Sequence, residues 1–387
     1  MIPRLLTGLI KQRLAKEKAI ILLGPRQVGK TTLLFGLLEN DHNVLYLDCD
    51  EPDVRKRLTE PTSTELRNLF GDHHLVVIDE AQRIKNIGLT TKLIVDKLKK
   101  VKIILSGSSA LELANTINEP LTGRKFEFLL LPFSTLELVN HFGRLETERQ
   151  LEQRLIFGFY PDLVLHPSEA RERLSELVTS YLYKDIFTYQ DIRRPGLLPD
   201  LLEAIARQVG NEVSYHELAS LLGVDGETVK RYIDLLEKSY VIFKLRSFSR
   251  NLRNELKKSI KIYFFDNGVR NAILGNYQPL ELRTDIGALW ENFFISERIK
   301  LHYFNRTEVK AYFWRTKQQQ EIDYIEEING KISVFECKWN PKSKTTFSST
   351  FIREYSPKAT HLVTRENYLE YLLSDTLASS TGAKEKN

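Results

Sequence analysis

Cysteine is nearly absent: Cys49 and Cys337 are the only two in 387 residues. They lie far apart and without metal-ligand spacing, which excludes a disulfide framework and gives a zinc site no support. No run of about 18 apolar residues occurs, so no membrane span is expected. The first residues, Met1 to Arg13, hold no uninterrupted apolar stretch of the kind a signal peptide needs. Arg4, Lys11 and Arg13 break it into what reads as a short amphipathic helix, and a cytoplasmic protein is the expectation. Internal repeats and long low-complexity segments are missing too. Charge of one sign is in short supply, with 56 Lys and Arg against 51 Asp and Glu and a net charge of +5. That balance permits a nucleic-acid partner without requiring one, so the placement of basic residues matters more than their sum. What remains is the composition of a globular protein, long enough for two or three domains.

The most informative stretch is Gly24-Pro25-Arg26-Gln27-Val28-Gly29-Lys30-Thr31, followed by Thr32. It joins the apolar run Ala19 to Leu23 to the helical pattern Thr32 to Leu38, so a buried strand turns sharply into a helix. The spacing G-x-x-x-x-G-K-T suits a phosphate loop: Gly24 and Gly29 let backbone N–H groups approach phosphate oxygens, and the helix N-terminus adds a positive dipole. Lys30 would reach the β- and γ-phosphates of ATP, and the Thr31 hydroxyl would hold Mg2+.

Alternating strand and helix patterns across the first third argue for a parallel sheet covered on both faces. Asn43 to Asp48 reads as a second strand. Leu75 to Ile78 is a third, running straight into Asp79-Glu80 and delivering carboxylates to its C-terminal end. Asp79 would support Mg2+ and Glu80 would orient and deprotonate the attacking water; the same acids would also favour the dipole of a helix starting at Ala81. Lys102 to Leu105 ends in Ser106-Gly107-Ser108-Ser109, a polar turn from which a hydroxyl would sit beside the nucleotide; Ser108 or Ser109 would also cap the next helix, and both readings hold together. Arg124, just before the strand Phe126 to Leu131, is either a solvated surface residue or a donor to a neighbouring subunit's site.

Together GPRQVGKTTLL, VVIDEAQR, ILSGSSALEL and LTGRKFEFLLLPFS resemble a large group of prokaryotic AAA+ ATPases, over about residues 18 to 365. The resemblance implies an α/β AAA+ P-loop NTPase core with a parallel sheet in residues 1–150, a helical lid in 151–205, a winged helix-turn-helix in 206–262, and a C-terminal α/β restriction-endonuclease-like domain in 263–373. A polar tail, 374–387, is expected to be disordered. It further implies Walker A roles for Lys30 and Thr31, Walker B roles for Asp79 and Glu80, a sensor role for Ser106 or Ser108, an arginine finger at Arg124, and a homo-oligomer.

Within 206–262 the residues themselves suggest a helix-turn-helix: Ser214 caps a helix, Gly223 to Gly226 turn, and Glu227 to Glu237 form a second amphipathic helix. Lys230, Arg231, Arg246, Arg250 and Arg253, with Lys257, Lys258 and Lys261, would follow a DNA backbone. The same motif also serves protein contacts, so an unidentified protein partner and a nucleotide-switched assembly module stay open. Further on, Asp323 and the pair Glu336/Lys338 fall on neighbouring strands, where two carboxylates and a lysine on one face can bind Mg2+ and activate water. The spacing resembles the core of PD-(D/E)XK nucleases, with Glu291 matching an acid from the preceding helix. An exposed ion pair of little energetic weight is the plainer reading.

Overall fold

The computed structural model describes residues 1–39, 42–107, 120–182, 194, 196–249, 260–344 and 347–377. Ser108, Arg250, Arg253 and the tail beyond residue 377, all singled out from the sequence, lie outside the described residues. The chain divides into two compact units, the first formed by Met1–Pro132 with Lys238–Tyr240 and the second by Phe133–Glu237 with Val241–Asn387.

The first unit is built on five parallel strands, β1 (Ala19–Leu23), β2 (Val44–Asp48), β3 (Leu75–Asp79), β4 (Lys102–Gly107) and β5 (Lys125–Leu129), in the order β2-β3-β4-β1-β5. Every residue of β1 and β3 is buried, as expected of strands covered on both faces, which read as continuous apolar runs rather than alternating ones. Among the described residues five helices accompany them: α1 (Leu6–Leu14), α2 (Lys30–Leu38), α3 (Pro52–Leu58), α4 (Ser63–Phe70) and α5 (Ile87–Lys97). One cluster under the sheet joins Ile21, Val76, Ile78 and Leu105 to Leu66, Phe70, Ile87 and Ile94; each such side chain withdrawn from water contributes about 1.5–3 kcal/mol. Because β4 lies between β1 and β3, the C-terminal ends of these three strands are neighbours, and that adjacency assembles the site.

The second unit carries a mixed seven-stranded sheet. Its strands are β6 (Glu212–Val213), β7 (Ile242–Ser247), β8 (Ile260–Phe264), β9 (Lys310–Arg315), β10 (Glu321–Ile328), β11 (Lys331–Cys337) and β12 (Ala359–Val363), ordered β12-β11-β10-β9-β7-β8-β6. A helix-turn-helix is present: α6 (Tyr215–Leu222) is capped by Ser214, Gly223 turns the chain at φ 65°, and α7 (Gly226–Lys238) follows. The strands expected to form its wing do not close off a separate domain. β7 pairs with β8 on one side and, in parallel, with β9 on the other, so the sheet runs unbroken through residue 262, where the sequence suggested a boundary.

The described residues of 151–205, the stretch expected to form a lid, belong to this second unit. The helix Leu151–Phe157 ends at Gly158 and the chain restarts at Pro161. The buried Asp266 carboxylate accepts the Phe159 N–H at 2.7 Å and caps the helix Asn267–Ile273 through the Val269 N–H. Asn271 donates to the carbonyls of Leu155 and Ile156 at 3.1 and 2.8 Å, and Arg270 donates to that of Ala206 at 2.9 Å. Gly158 makes this approach possible: at φ +81°, a Cβ on it would fall 1.9 Å from Asp266 Oδ1. Gly158→Ala therefore combines a backbone region nearly reserved for glycine with a clash against a buried carboxylate. It should lower the stability of the second unit by about 2–4 kcal/mol, read by chemical denaturation; an unchanged midpoint would show that Asp266 can move aside.

Candidate active site

At the end of β1 the chain enters the loop Gly24–Gly29, and α2 begins at Lys30. Two glycines make the path possible. A Cβ on Gly24 would sit 2.1 Å from the Leu130 carbonyl oxygen, and Gly29 has φ +87°; Gln27 adds a left-handed residue between them, at φ 59°. Such alternation turns successive backbone N–H groups toward one point, the geometry of an anion cradle. Val28 is buried, and its carbonyl is held by Arg4 Nη1 at 3.0 Å, while Arg4 Nη2 holds the Leu131 carbonyl. The loop is thus fastened from the N-terminal segment. Lys30 is buried, with its ammonium on the carbonyls of Gly24 and Pro25, 3.0 Å from each. Thr32, included with the loop from the sequence, is exposed.

Asp79, at the end of β3, is the hub. Its Oδ2 accepts from Thr31 Oγ1 at 3.0 Å and from the Tyr46 hydroxyl; its Oδ1 accepts from Ser106 Oγ and, at 3.1 Å, from the Glu80 N–H. The residue is 4% exposed, so these donors balance a carboxylate largely withdrawn from water. Tyr46 also stacks on Phe35 of α2, with ring centroids 5.1 Å apart. Burial first, and then the Asp79 carboxylate, raises the Tyr46 phenol well above its ordinary range, which keeps it a donor. The same surroundings push the Cys49 thiol up to about 12, mainly through burial, and leave it inert. Glu80 occupies the left-handed region at φ 52°, and its carboxylate accepts from Gln82 Nε2.

The structure brings Lys30, Thr31, Asp79, Glu80 and Ser106 to one edge of the sheet. Arg124 it places at the other: its carbonyl accepts the Ala19 N–H at the start of β1, and its Nε is 2.8 Å from Asp96 Oδ1. The length of β1, roughly 16 Å at 3.3 Å per residue, separates it from its own loop. Arg4, Tyr46 and Gln82 escaped the sequence reading. Arg4 stands in a stretch that reads as a short amphipathic helix, and Tyr46 lies within a strand with no motif around it.

Thr31 and Asp79 offer a hydroxyl and a carboxylate side by side. Such hard oxygen donors suit Mg2+, which takes few protein ligands and completes its shell with water and substrate phosphates. These residues therefore fit the ion.

In the second unit, Lys230 and Arg246 are exposed and Arg231 is half-buried, its guanidinium 5.6 Å from the centre of the Tyr232 ring. The carboxylates matched to a nuclease core do gather. Tyr324 pairs with Phe335 across β10 and β11, which sets Asp323 beside Glu336, and Lys338 Nζ is 3.8 Å from Asp323 Oδ2 and 3.4 Å from Glu336 Oε2. Glu291 lies on the 19-residue helix α8 (Ile286–Phe304), and Lys261 Nζ is 3.2 Å from its Oε1. Burial raises the Glu291 carboxyl to about 7 despite Lys261, and burial together with Asp323 pushes Glu336 up as well. Among the described residues no three His, Cys, Asp or Glu side chains are arranged to hold a metal ion.

Comparison with known proteins matches three stretches of the chain to family models. Residues 16–139, which hold the loop, Asp79, Glu80 and Ser106, match a family model described as an AAA domain. Residues 148–279 and 286–379 match two models described as domains of unknown function, DUF8612 and DUF4143. An uncharacterized protein of Mycobacterium tuberculosis is 29% identical over 334 residues, covering 85% of this chain and 72% of its own. One of Haemophilus influenzae, also uncharacterized, is 23% identical over 285 residues, or 66% and 69% of the two chains. Among solved structures, a Walker-type ATPase of Pyrococcus abyssi aligns with 69% of this chain and 94% of its own at 19% identity and a TM-score of 0.47. The chain thus carries an AAA domain in its first third, followed by two domains of unknown function.

Proposed function

We propose that this chain binds ATP with Mg2+ at the Gly24–Thr31 loop and hydrolyses it. The observation that supports this most is the convergence of Thr31, Ser106 and the Glu80 N–H on Asp79 at the sheet edge that also carries the Lys30 loop. The loop N–H groups and Lys30 bind the phosphates, the ammonium exchanging the Gly24 and Pro25 carbonyls for phosphate oxygens. Thr31 and Asp79 hold Mg2+, which when bound supplies positive charge against the charge developing on the phosphoryl oxygens. Glu80 leaves Gln82 to orient the attacking water and takes its proton. Ser106 keeps Asp79 aimed. Arg124 has no route to its own loop, so its part is to stabilise charge at a neighbouring copy's site. A head-to-tail homo-oligomer is supported by the contrast between edges: five lysines (Lys16, Lys18, Lys99, Lys100 and Lys102) line a pocket at the N-terminal end of the sheet, while Asp48, Asp79 and Glu80 lie at the other.

The enzyme acts on DNA in this reading, with α7 and β7 supplying Lys230 and Arg246. The support is the exposure of Lys230 on the second helix of the helix-turn-helix and of Arg246 on the strand that follows it.

Lys30→Ala should abolish nucleotide binding, whereas Glu80→Gln should bind ATP normally and turn it over at least about 100-fold more slowly. Equal turnover by Glu80→Gln would remove Glu80 from its role.

Tyr46→Phe keeps the stack on Phe35 and deletes only the hydroxyl on Asp79. The Mg2+ concentration for half-maximal turnover should rise about 10-fold, the usual scale for a partner that orients a metal ligand, with Mg2+-free nucleotide binding unchanged. An unaltered Mg2+ profile would show that Tyr46 only packs.

For the DNA contact, ATP turnover should be stimulated by duplex DNA, and the stimulation should fade steeply as salt rises. Turnover indifferent to DNA would favour a nucleotide-switched contact with a protein partner instead.

A further inference from the structure

Lys261 stands in a basic run, and local sequence alone places it with the exposed cations of a wing. The structure buries it completely: its side chain is 0% exposed. Residues two apart on a strand share a face, so Lys261 and Tyr263 of β8 point together toward α8. There the Tyr263 hydroxyl donates to Glu291 Oε1 at 2.5 Å, and Lys261 Nζ lies 3.2 Å from that same oxygen. On its other side the ammonium is 2.5 Å from Glu321 Oε1, at the start of β10, and 5.4 Å from the centre of the Phe313 ring. Glu321 has a further cation in Arg315, 3.9 Å away. One residue pair along, the Cys337 N–H donates to Asp323 Oδ2 at 2.8 Å, and Lys338 sits against Asp323 and Glu336.

Four carboxylates (Glu291, Glu321, Asp323 and Glu336) thus meet three side-chain cations, and the most buried of these cations lies between two of the acids. A divalent ion needs oxygen lone pairs at roughly 2.0–2.6 Å. Here the Glu291 oxygen that faces the cluster already accepts two donors, and an ammonium within hydrogen-bonding distance would repel any further cation. Taking an ammonium out of water is costly unless it is paired, so the lysine is held there by the acids as the acids are held by it.

We propose that Lys261 is a built-in counter-ion standing where a metal would otherwise be held, so that this carboxylate cluster is metal-independent and knits β8, α8 and β10 together. The proposal does not depend on ATP hydrolysis by the first unit.

The test is Mn2+ binding to the full chain without nucleotide, followed by calorimetry and by the paramagnetic signal of free Mn2+, in a Thr31→Ala background that silences the phosphate loop. The parent should bind no Mn2+ that Asp323→Asn abolishes. Lys261→Ala, which vacates the position and leaves the acids, should gain a Mn2+ site at least about 10-fold tighter than any residual Mn2+ binding of the parent, and adding Asp323→Asn should abolish it. Lys261→Arg, which keeps a cation, should behave as the parent. Should Lys261→Ala fail to fold, Lys261→Met combined with Glu291→Gln, which removes one charge of each sign, should fold and gain no Mn2+ affinity. A parent that binds Mn2+ through Asp323, a folded Lys261→Ala with no gain, or a paired variant that does not fold would each overturn the proposal.

Discussion

A parallel sheet has two chemically different edges, and the first unit depends on that fact. With five strands running the same way, every strand-to-helix turn falls at one edge and every helix-to-strand turn at the other. The insertion of β4 between β1 and β3 then sets the phosphate loop, Ser106 and Asp79 next to one another, although they lie more than twenty residues apart in the chain. Nothing in the loop by itself would bring a serine from one strand and a tyrosine from another onto a single carboxylate. The same polarity accounts for Arg124: a residue that immediately precedes β5 cannot be where the residues that end β1 and β3 are.

The two units settle the charge of buried carboxylates in different ways, and the difference separates their chemistry. Asp79 is satisfied chiefly by hydroxyls from Thr31, Tyr46 and Ser106. These are neutral donors that can rotate away and leave the carboxylate to a cation. Glu291 and Glu321 are satisfied by an ammonium that cannot leave. A network of neutral donors is poised for exchange, whereas one closed by ions of opposite sign resists it. On the readings proposed above, similar acids on similar strands serve a reactive site in one unit and cohesion in the other.

Much of the first unit was legible in the sequence because its signals are local. A buried strand, a glycine-bounded turn and a helix occupy consecutive residues, and Asp79-Glu80 follow an unbroken apolar run. The helix-turn-helix was legible for the same reason, with Ser214, Gly223 and Asp225 marking its turns. What stayed hidden was set by pairing between distant segments. Tyr46 matters because β2 lies beside β3, and Arg4 because the start of the chain returns to Val28. Lys261 was misplaced because neighbouring lysines made it look like part of a surface. Its alternation with Ile260 and Ile262, and its shared face with Tyr263, carried the contrary signal. The nuclease-like spacing of Asp323, Glu336 and Lys338 did foretell their proximity, but spacing does not report which cation fills the space between acids.

The parallel pairing of β7 with β9 has a consequence for how this polypeptide can be divided. Residues 206–262 have the outline of a transferable module, and the two family models meet between residues 279 and 286. A fragment ending at 262 would cut through β8, and one ending near 280 would leave β7 with a bare row of backbone donors and acceptors where β9 belongs. Exposed strand edges of that kind recruit other chains. Gene fusion or recombination at either border would therefore yield pieces prone to aggregate rather than portable parts, and the helix-turn-helix must be inherited together with the sheet that completes it.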